Sequence, residues 1–164
     1  QLSQLAADIE NRERQLGVLE TLIVDRKMKS DVFLAGRPAL KGWMSSRFGM
    51  RNDPVTGRRV WHNGVDFAGK EGADVVTVAA GVVVFAGDRN GYGEMVEVNH
   101  GNGFSTRYGH HKELLVKVGD IVKKGQIVGL MGSSGRSTGP HVHFEVFKNG
   151  RVVDPSSYIH RASR

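Results

Sequence analysis

Cysteine is absent from the 164-residue chain. That removes disulfide frameworks, cysteine-ligated zinc, iron–sulfur clusters and thiol catalysis. A long apolar run is absent too: no stretch approaches the ~20 residues of a membrane-spanning helix. The basic residues are scattered and carry no nucleic-acid-binding motif. The net charge of +6 therefore speaks for solubility, or for an anionic partner such as a wall polymer or a membrane surface, and no nucleic acid is expected. No signal-peptide pattern is present, so we read the chain as a piece or a processed form, with its export signal and any membrane anchor upstream of residue 1. What remains, 39% hydrophobic and 24% charged residues, suits one folded domain with an added arm.

Glycine is nearly missing from one part of the chain. Of 22 glycines only Gly17 precedes position 36. Residues 1–35 carry five basic and six acidic side chains and the remainder 18 and 11, so two regions with different physics share the sequence. In the first, Leu2, Leu5, Ile9, Arg12, Leu16, Leu19, Ile23 and Arg26 recur at alternating steps of three and four. This predicts a helix over 1–26: the end of a coiled coil, open to self-association, or an amphipathic helix packed on its own domain. Residues 27–42, with Gly36 and Pro38, lose the period and read as a connector. Over 43–160, short apolar runs alternate with glycine turns: 75–78, 82–86, 95–98, 104–108, two runs within 116–128, and 142–146 followed by the hairpin signal Asn149–Gly150. Strands this closely spaced, with no helical pattern between them, predict a mainly β, antiparallel architecture.

Histidine carries the chemistry. In His62-Asn63-Gly64-Val65-Asp66 an extended strand would hold the two outer residues about 13 Å apart. Sharing a metal requires a bend, which Asn63–Gly64 makes cheap. Alone, a surface turn explains this motif as well. In His141-Val142-His143, positions two apart face the same way on a strand, with Val142 and Phe144 turned toward a core. Two adjacent imidazoles suit metal ligation or ligation plus proton transfer; the plainer alternative is a pair of solvated side chains. Tyr108-Gly109-His110 adds a candidate, and His111 faces the opposite way. His100 and His160 have no special context. Two imidazoles and a carboxylate would leave a zinc ion one position for water, the open arrangement of a catalytic site. Calcium fits less well because histidine is a poor ligand for it. Gly132-Ser133-Ser134-Gly135 is neither a phosphate-binding loop nor a nucleophile elbow.

The runs Ser45-Ser46-Arg47-Phe48-Gly49-Met50-Arg51, His62-x-x-x-Asp66, Tyr108-x-His110 and Thr138-Gly139-Pro140-His141-Val142-His143-Phe144-Glu145 together resemble the lysostaphin/LytM-type zinc endopeptidases of peptidoglycan. The match spans about residues 43–159 in order. The resemblance implies an antiparallel β-sheet groove with one Zn2+ per chain on its floor. It implies His62, Asp66 and His143 as metal ligands and His110 and His141 as catalytic histidines. It further implies action on the stem peptides and cross-bridges of peptidoglycan, hence a place outside the cytoplasmic membrane. His111 departs from the Leu common in such sequences. Glu145 is expected either to orient a histidine or to serve a structural salt bridge, and Tyr92 and Tyr108 either to line the groove or to pack. The rival readings are a non-catalytic relative that activates another wall hydrolase, a histidine phosphocarrier and a coiled-coil scaffold. Segment 27–41 could also cover the groove and hold the enzyme latent.

Overall fold

The computed structural model describes residues 2–159, apart from the side chains of residues 2, 3, 5–8 and 11. The first element is helix α1, Leu2–Asp31. It runs past Arg26, where the heptad seam ends, into the stretch read as connector. Lys27, Met28 and Lys29 are good helix formers, and Lys29 Nζ reaches back to Asp25 at 2.7 Å, one turn earlier. Ile9, Leu16, Leu19 and Ile23 are exposed, so α1 does not pack its seam on its own domain. The seam positions Leu2 and Leu5 have side chains outside the described residues.

Residues 32–42 are tied into the domain. Leu34 and Ala39 are buried, and Val76 N–H donates to the Pro38 carbonyl at 2.8 Å. The strands follow as β1 (Trp43–Ser46), β2 (Gly49–Asn52), β3 (Arg59–His62), β4 (Val65–Ala68), β5 (Asp74–Val76), β6 (Gly81–Arg89), β7 (Gly93–Gly101), β8 (Phe104–Leu114), β9 (Ile121–Val122), β10 (Ile127–Met131), β11 (His141–Lys148) and β12 (Arg151–Val153), then a short helix α2 (Ser156–Ile159). Val116 and Val118 lie outside any strand, against the sequence expectation; Val118 is exposed, so its apolar side chain reports no pairing.

Every strand pairing among the described residues is antiparallel. The main sheet runs β1-β4-β11-β8-β7-β6-β9, with β12 on β11 and β10 between β5 and β8. β2 and β3 form a separate hairpin. Alternation along the strands sorts the side chains as the sequence pattern requires. Val65, Phe67, Val142, Phe144, Val96, Val98 and Tyr108 meet in one core. The residues between them on β4 and β11, Asp66, His141 and His143, face a groove. β4, β11 and β8 are consecutive in the sheet, so the groove floor is built where the sheet has a neighbour on either side.

Candidate active site

Three strands deliver the central cluster. His62 ends β3, Asp66 lies in β4, and His143 stands opposite Asp66 in the β11–β4 register. The bend expected at Asn63–Gly64 has a steric basis. A Cβ on Gly64 would stand 2.3 Å from the Phe144 carbonyl oxygen and 2.9 Å from His143 Cε1. Only glycine lets this turn approach β11 so closely. As a result His62 Nε2 lies 3.1 Å from His143 Nδ1 and 3.2 Å from Asp66 Oδ1, and His143 Nδ1 lies 2.8 Å from that same oxygen. Two donor atoms each about 2.0–2.1 Å from a tetrahedral zinc are about 3.3 Å apart. The spacing found here is close to that edge length.

The ring tautomers follow from the outer hydrogen bonds. A carbonyl or carboxylate oxygen only accepts, so the ring nitrogen facing it carries the proton. His62 Nδ1–H donates to the Arg47 carbonyl at 2.8 Å, and His143 Nε2–H donates to Glu145 Oε1 at 3.0 Å. Between each inner nitrogen and the Asp66 carboxylate a proton or a metal cation must stand. Two imidazoles and one carboxylate are a donor set that suits zinc. The electrostatics show the same demand for positive charge beside the carboxylate. Burial would push the Asp66 carboxyl up, yet hydrogen bonds and charge from His143 and His62 hold it far below the usual carboxylate range. Burial also opposes charge on His143, yet Asp66 and Glu145 push it up to about 9.

Neighbouring groups fix the cluster. Arg51 Nη1 donates to Asp66 Oδ2 at 2.7 Å and to Ser46 Oγ at 2.6 Å, leaving Oδ1 to the histidines. Glu145 fills both roles considered for it. Its Oε1 also accepts from the Tyr92 hydroxyl at 3.0 Å, and its Oε2 lies 3.7 Å from Arg107 Nη1. Such outer partners orient metal-binding imidazoles.

His110 and His141 stand beside the cluster, their ring centroids 4.5 Å apart. His110 adopts φ of 65°, an uncommon left-handed conformation for a non-glycine residue. It falls where the β7–β8 register shifts, and its N–H donates to the Tyr92 carbonyl at 2.7 Å. Its Nδ1–H donates to the Ser134 carbonyl at 2.7 Å, while His141 Nδ1–H donates to the Gly139 carbonyl at 2.8 Å. In its neutral form each ring therefore keeps a lone pair at Nε2. His141 Nε2 lies 3.9 Å from Asp66 Oδ1. Burial, with the neighbouring His141 adding to it, lowers His110 to about 4.

The remaining candidates fall elsewhere. His111 is fully buried. His100 donates from Nδ1 to the Ala80 carbonyl at 2.8 Å and meets Thr106 Oγ1 at 2.7 Å, a structural role. His160 lies outside the described residues. Tyr108 is a core residue bonded to Thr106 and to the Val78 N–H, so it does not line the groove. None of residues 27–41 lines it either: Leu34, Ala35 and Ala39 are drawn into the core, and Ala39 bridges to Val75 of β5, while Met28, Phe33 and Leu40 stay exposed. Sequence reasoning missed both tryptophans. The groove, about 640 Å³, has Trp43 and Trp61 on its walls, 65% and 57% exposed. Trp is highly buried on average, so two exposed ones in one groove are unusual. Asp53 and Arg136, an ion pair in the groove lining, were missed as well. A lone Asp in a turn and a lone Arg in a loop give no spacing signal.

The model of peptidase family M23 matches residues 60–155. Among curated relatives, the DD-carboxypeptidase/endopeptidase Mpg of Neisseria meningitidis is 41% identical over 114 residues, covering 70% of this chain and 26% of the relative. The peptidoglycan DD-endopeptidase ShyA of Vibrio cholerae is 46% identical over 112 residues, covering 68% and 26%. The chain therefore spans about a quarter of the length of these relatives. Among solved structures, a zinc-containing peptidase from Vibrio cholerae superposes with a TM-score of 0.66 at 37% identity, covering 80% of this chain and 40% of that one.

Proposed function

Because the chain belongs to peptidase family M23, we propose that it is a zinc-dependent endopeptidase that hydrolyses peptide cross-links of peptidoglycan. The observation that carries the reading is the convergence of His62 Nε2, His143 Nδ1 and Asp66 Oδ1 within 3.2 Å of one another, with His110 and His141 beside them. One zinc ion per chain, held by His62, Asp66 and His143, would polarise the scissile carbonyl and acidify a water.

The protein's own residues supply the rest. In their neutral form the His110 and His141 rings present Nε2 lone pairs to the groove. One accepts the proton as the water oxygen bonds to the carbonyl carbon, and that proton passes to the departing nitrogen as the C–N bond breaks. A ring that has taken a proton becomes a donor able to hold the carbonyl oxygen as it gains charge. Asp66, Arg51 and Glu145 keep the cluster in register during these steps. A substrate in the wall places the protein outside the cytoplasmic membrane, with α1 free for self-association or a partner. A regulator that only binds another hydrolase has no need of a complete donor set, and a phosphocarrier has no need of the carboxylate among its histidines. Both features favour the enzyme.

Incubation of purified cross-linked muropeptide dimers with zinc-loaded protein tests the reading. Dimers should yield monomers, a chelator should stop the reaction, and added zinc should restore it. Dimers left intact at full zinc occupancy would refute it.

A further inference from the structure

Among the described residues, four charged side chains other than histidine line the groove: Arg51, Asp53, Asp66 and Arg136. Three are committed. Arg51 and Asp66 hold each other, and Asp53 is buried with both oxygens engaged: Oδ1 accepts from Val55 N–H at 2.8 Å and Thr56 N–H at 3.0 Å, and Oδ2 accepts from Arg136 Nη2. Arg136 differs, its side chain being 57% exposed. A guanidinium has five N–H donors in a planar fork, and Asp53 engages it through Nη2.

The fork is also held in place. The two backbone N–H groups fix Asp53 whether or not Arg136 is present. Arg136 N–H donates to the Gly91 carbonyl at 3.2 Å, and Glu94 N–H donates to Ser134 Oγ at 3.0 Å. Gly135, at φ of 70°, packs so tightly that a Cβ would stand 2.3 Å from Gly93 N. The loop carrying Arg136 is therefore pinned to the β6–β7 turn, and it leads directly into His141. The result is a preorganised cation at the groove rim, a few residues from a catalytic histidine.

We propose that Arg136 is a specificity residue that receives a substrate carboxylate next to the scissile bond. The proposal rests on the reading of the site as a cross-link hydrolase and narrows its substrate class. In a D-alanyl–diaminopimelate cross-link, the carbon bearing the scissile nitrogen also bears a carboxylate. A glycine bridge has none there. Guanidinium and carboxylate match as a charge-assisted, two-point contact. The groove is thus built for acidic cross-links rather than glycine bridges.

The test uses two muropeptide dimers that differ only in whether this carboxylate is free or a carboxamide. The wild-type chain should favour the free acid on the order of 10- to 100-fold, chiefly through KM. Arg136→Gln should lose that preference, its activity falling more on the free acid than on the amidated dimer, and Arg136→Lys should recover part of it. Binding to the zinc-loaded His141→Ala chain, followed by tryptophan fluorescence, should show the same preference without turnover. Equal handling of both dimers by wild type, or equal loss on both in Arg136→Gln, would overturn the proposal. A binding preference without cleavage would leave the carboxylate subsite standing and remove the hydrolase reading instead.

Discussion

His143 Nε2 donates to Glu145 Oε1 at 3.0 Å, two residues along the same strand, and this bond decides which nitrogen of His143 faces Asp66. Replacing Glu145 should therefore weaken metal binding without touching a ligand. Glu145→Gln keeps an acceptor and should cost about tenfold in zinc affinity; Glu145→Ala should cost about a hundredfold. Competition against a chromogenic chelator measures both, with circular dichroism as the folding control. Unchanged affinity in both variants would show that Glu145 serves the Arg107 ion pair alone.

Ligand and catalyst should separate by mutation. Asp66→Ala and His143→Ala should lose zinc and hydrolysis together. His141→Ala should lose hydrolysis and keep much of its zinc, because its Nε2 is 3.9 Å from Asp66 Oδ1, farther than either inner nitrogen. Metal content by elemental analysis decides the matter. Equal zinc loss in all three would show the assignment to be wrong.

His111 should make the fold acid-sensitive. It is fully buried, and neither ring nitrogen has a partner in good hydrogen-bonding geometry. Burial lowers it from 6.5 to about 4, and the Leu130 and Tyr108 carbonyls offset only part of this. The unfolded chain then binds more protons than the folded one between those values, so stability is complete above pH 6.5 and falls as pH drops toward 4. The loss is on the order of 3 kcal/mol. His111→Leu fills the site with an apolar side chain and should shrink the fall in Tm across that window, leaving the part due to His110, which burial also lowers to about 4. A variant as acid-sensitive as wild type would place the sensitivity elsewhere.

Much of this was legible in the sequence, and the reasons are specific. The His141–His143 pair reads as one strand face because the period of two is strict. The His62–Asp66 bend is visible because Asn63–Gly64 names a turn, although the reason for glycine, the close approach to Phe144 and His143, exists only in three dimensions. Arg51 was quoted as part of a motif without a role, since nothing local says that its guanidinium crosses to Asp66. Trp43 and Trp61 lie on different strands and become neighbours of one groove only on folding. The Asp53–Arg136 pair spans 83 positions, beyond any local pattern.

Intrinsic fluorescence should report groove occupancy. The chain has two tryptophans, both on the groove walls and both more than half exposed. Emission of the free protein should be that of solvated indole, and a bound muropeptide should shift or quench it. Trp43→Phe and Trp61→Phe should each remove part of the change. A spectrum insensitive to saturating ligand would place the ligand elsewhere.

Among the described residues, helix α1 contributes nothing to the groove lining. A chain starting at Ser30 should keep the Tm and specific activity of the whole, and should lose any concentration-dependent self-association seen by sedimentation. Higher activity in the shorter chain would mean that α1 restrains the site.

The most direct measurement is a muropeptide profile of purified sacculi after incubation with zinc-loaded wild type, beside the His141→Ala chain. We expect cross-linked dimers to fall and the matching monomers to rise with wild type alone. Identical profiles for the two proteins, both at full zinc occupancy, would contradict a hydrolytic role for this site.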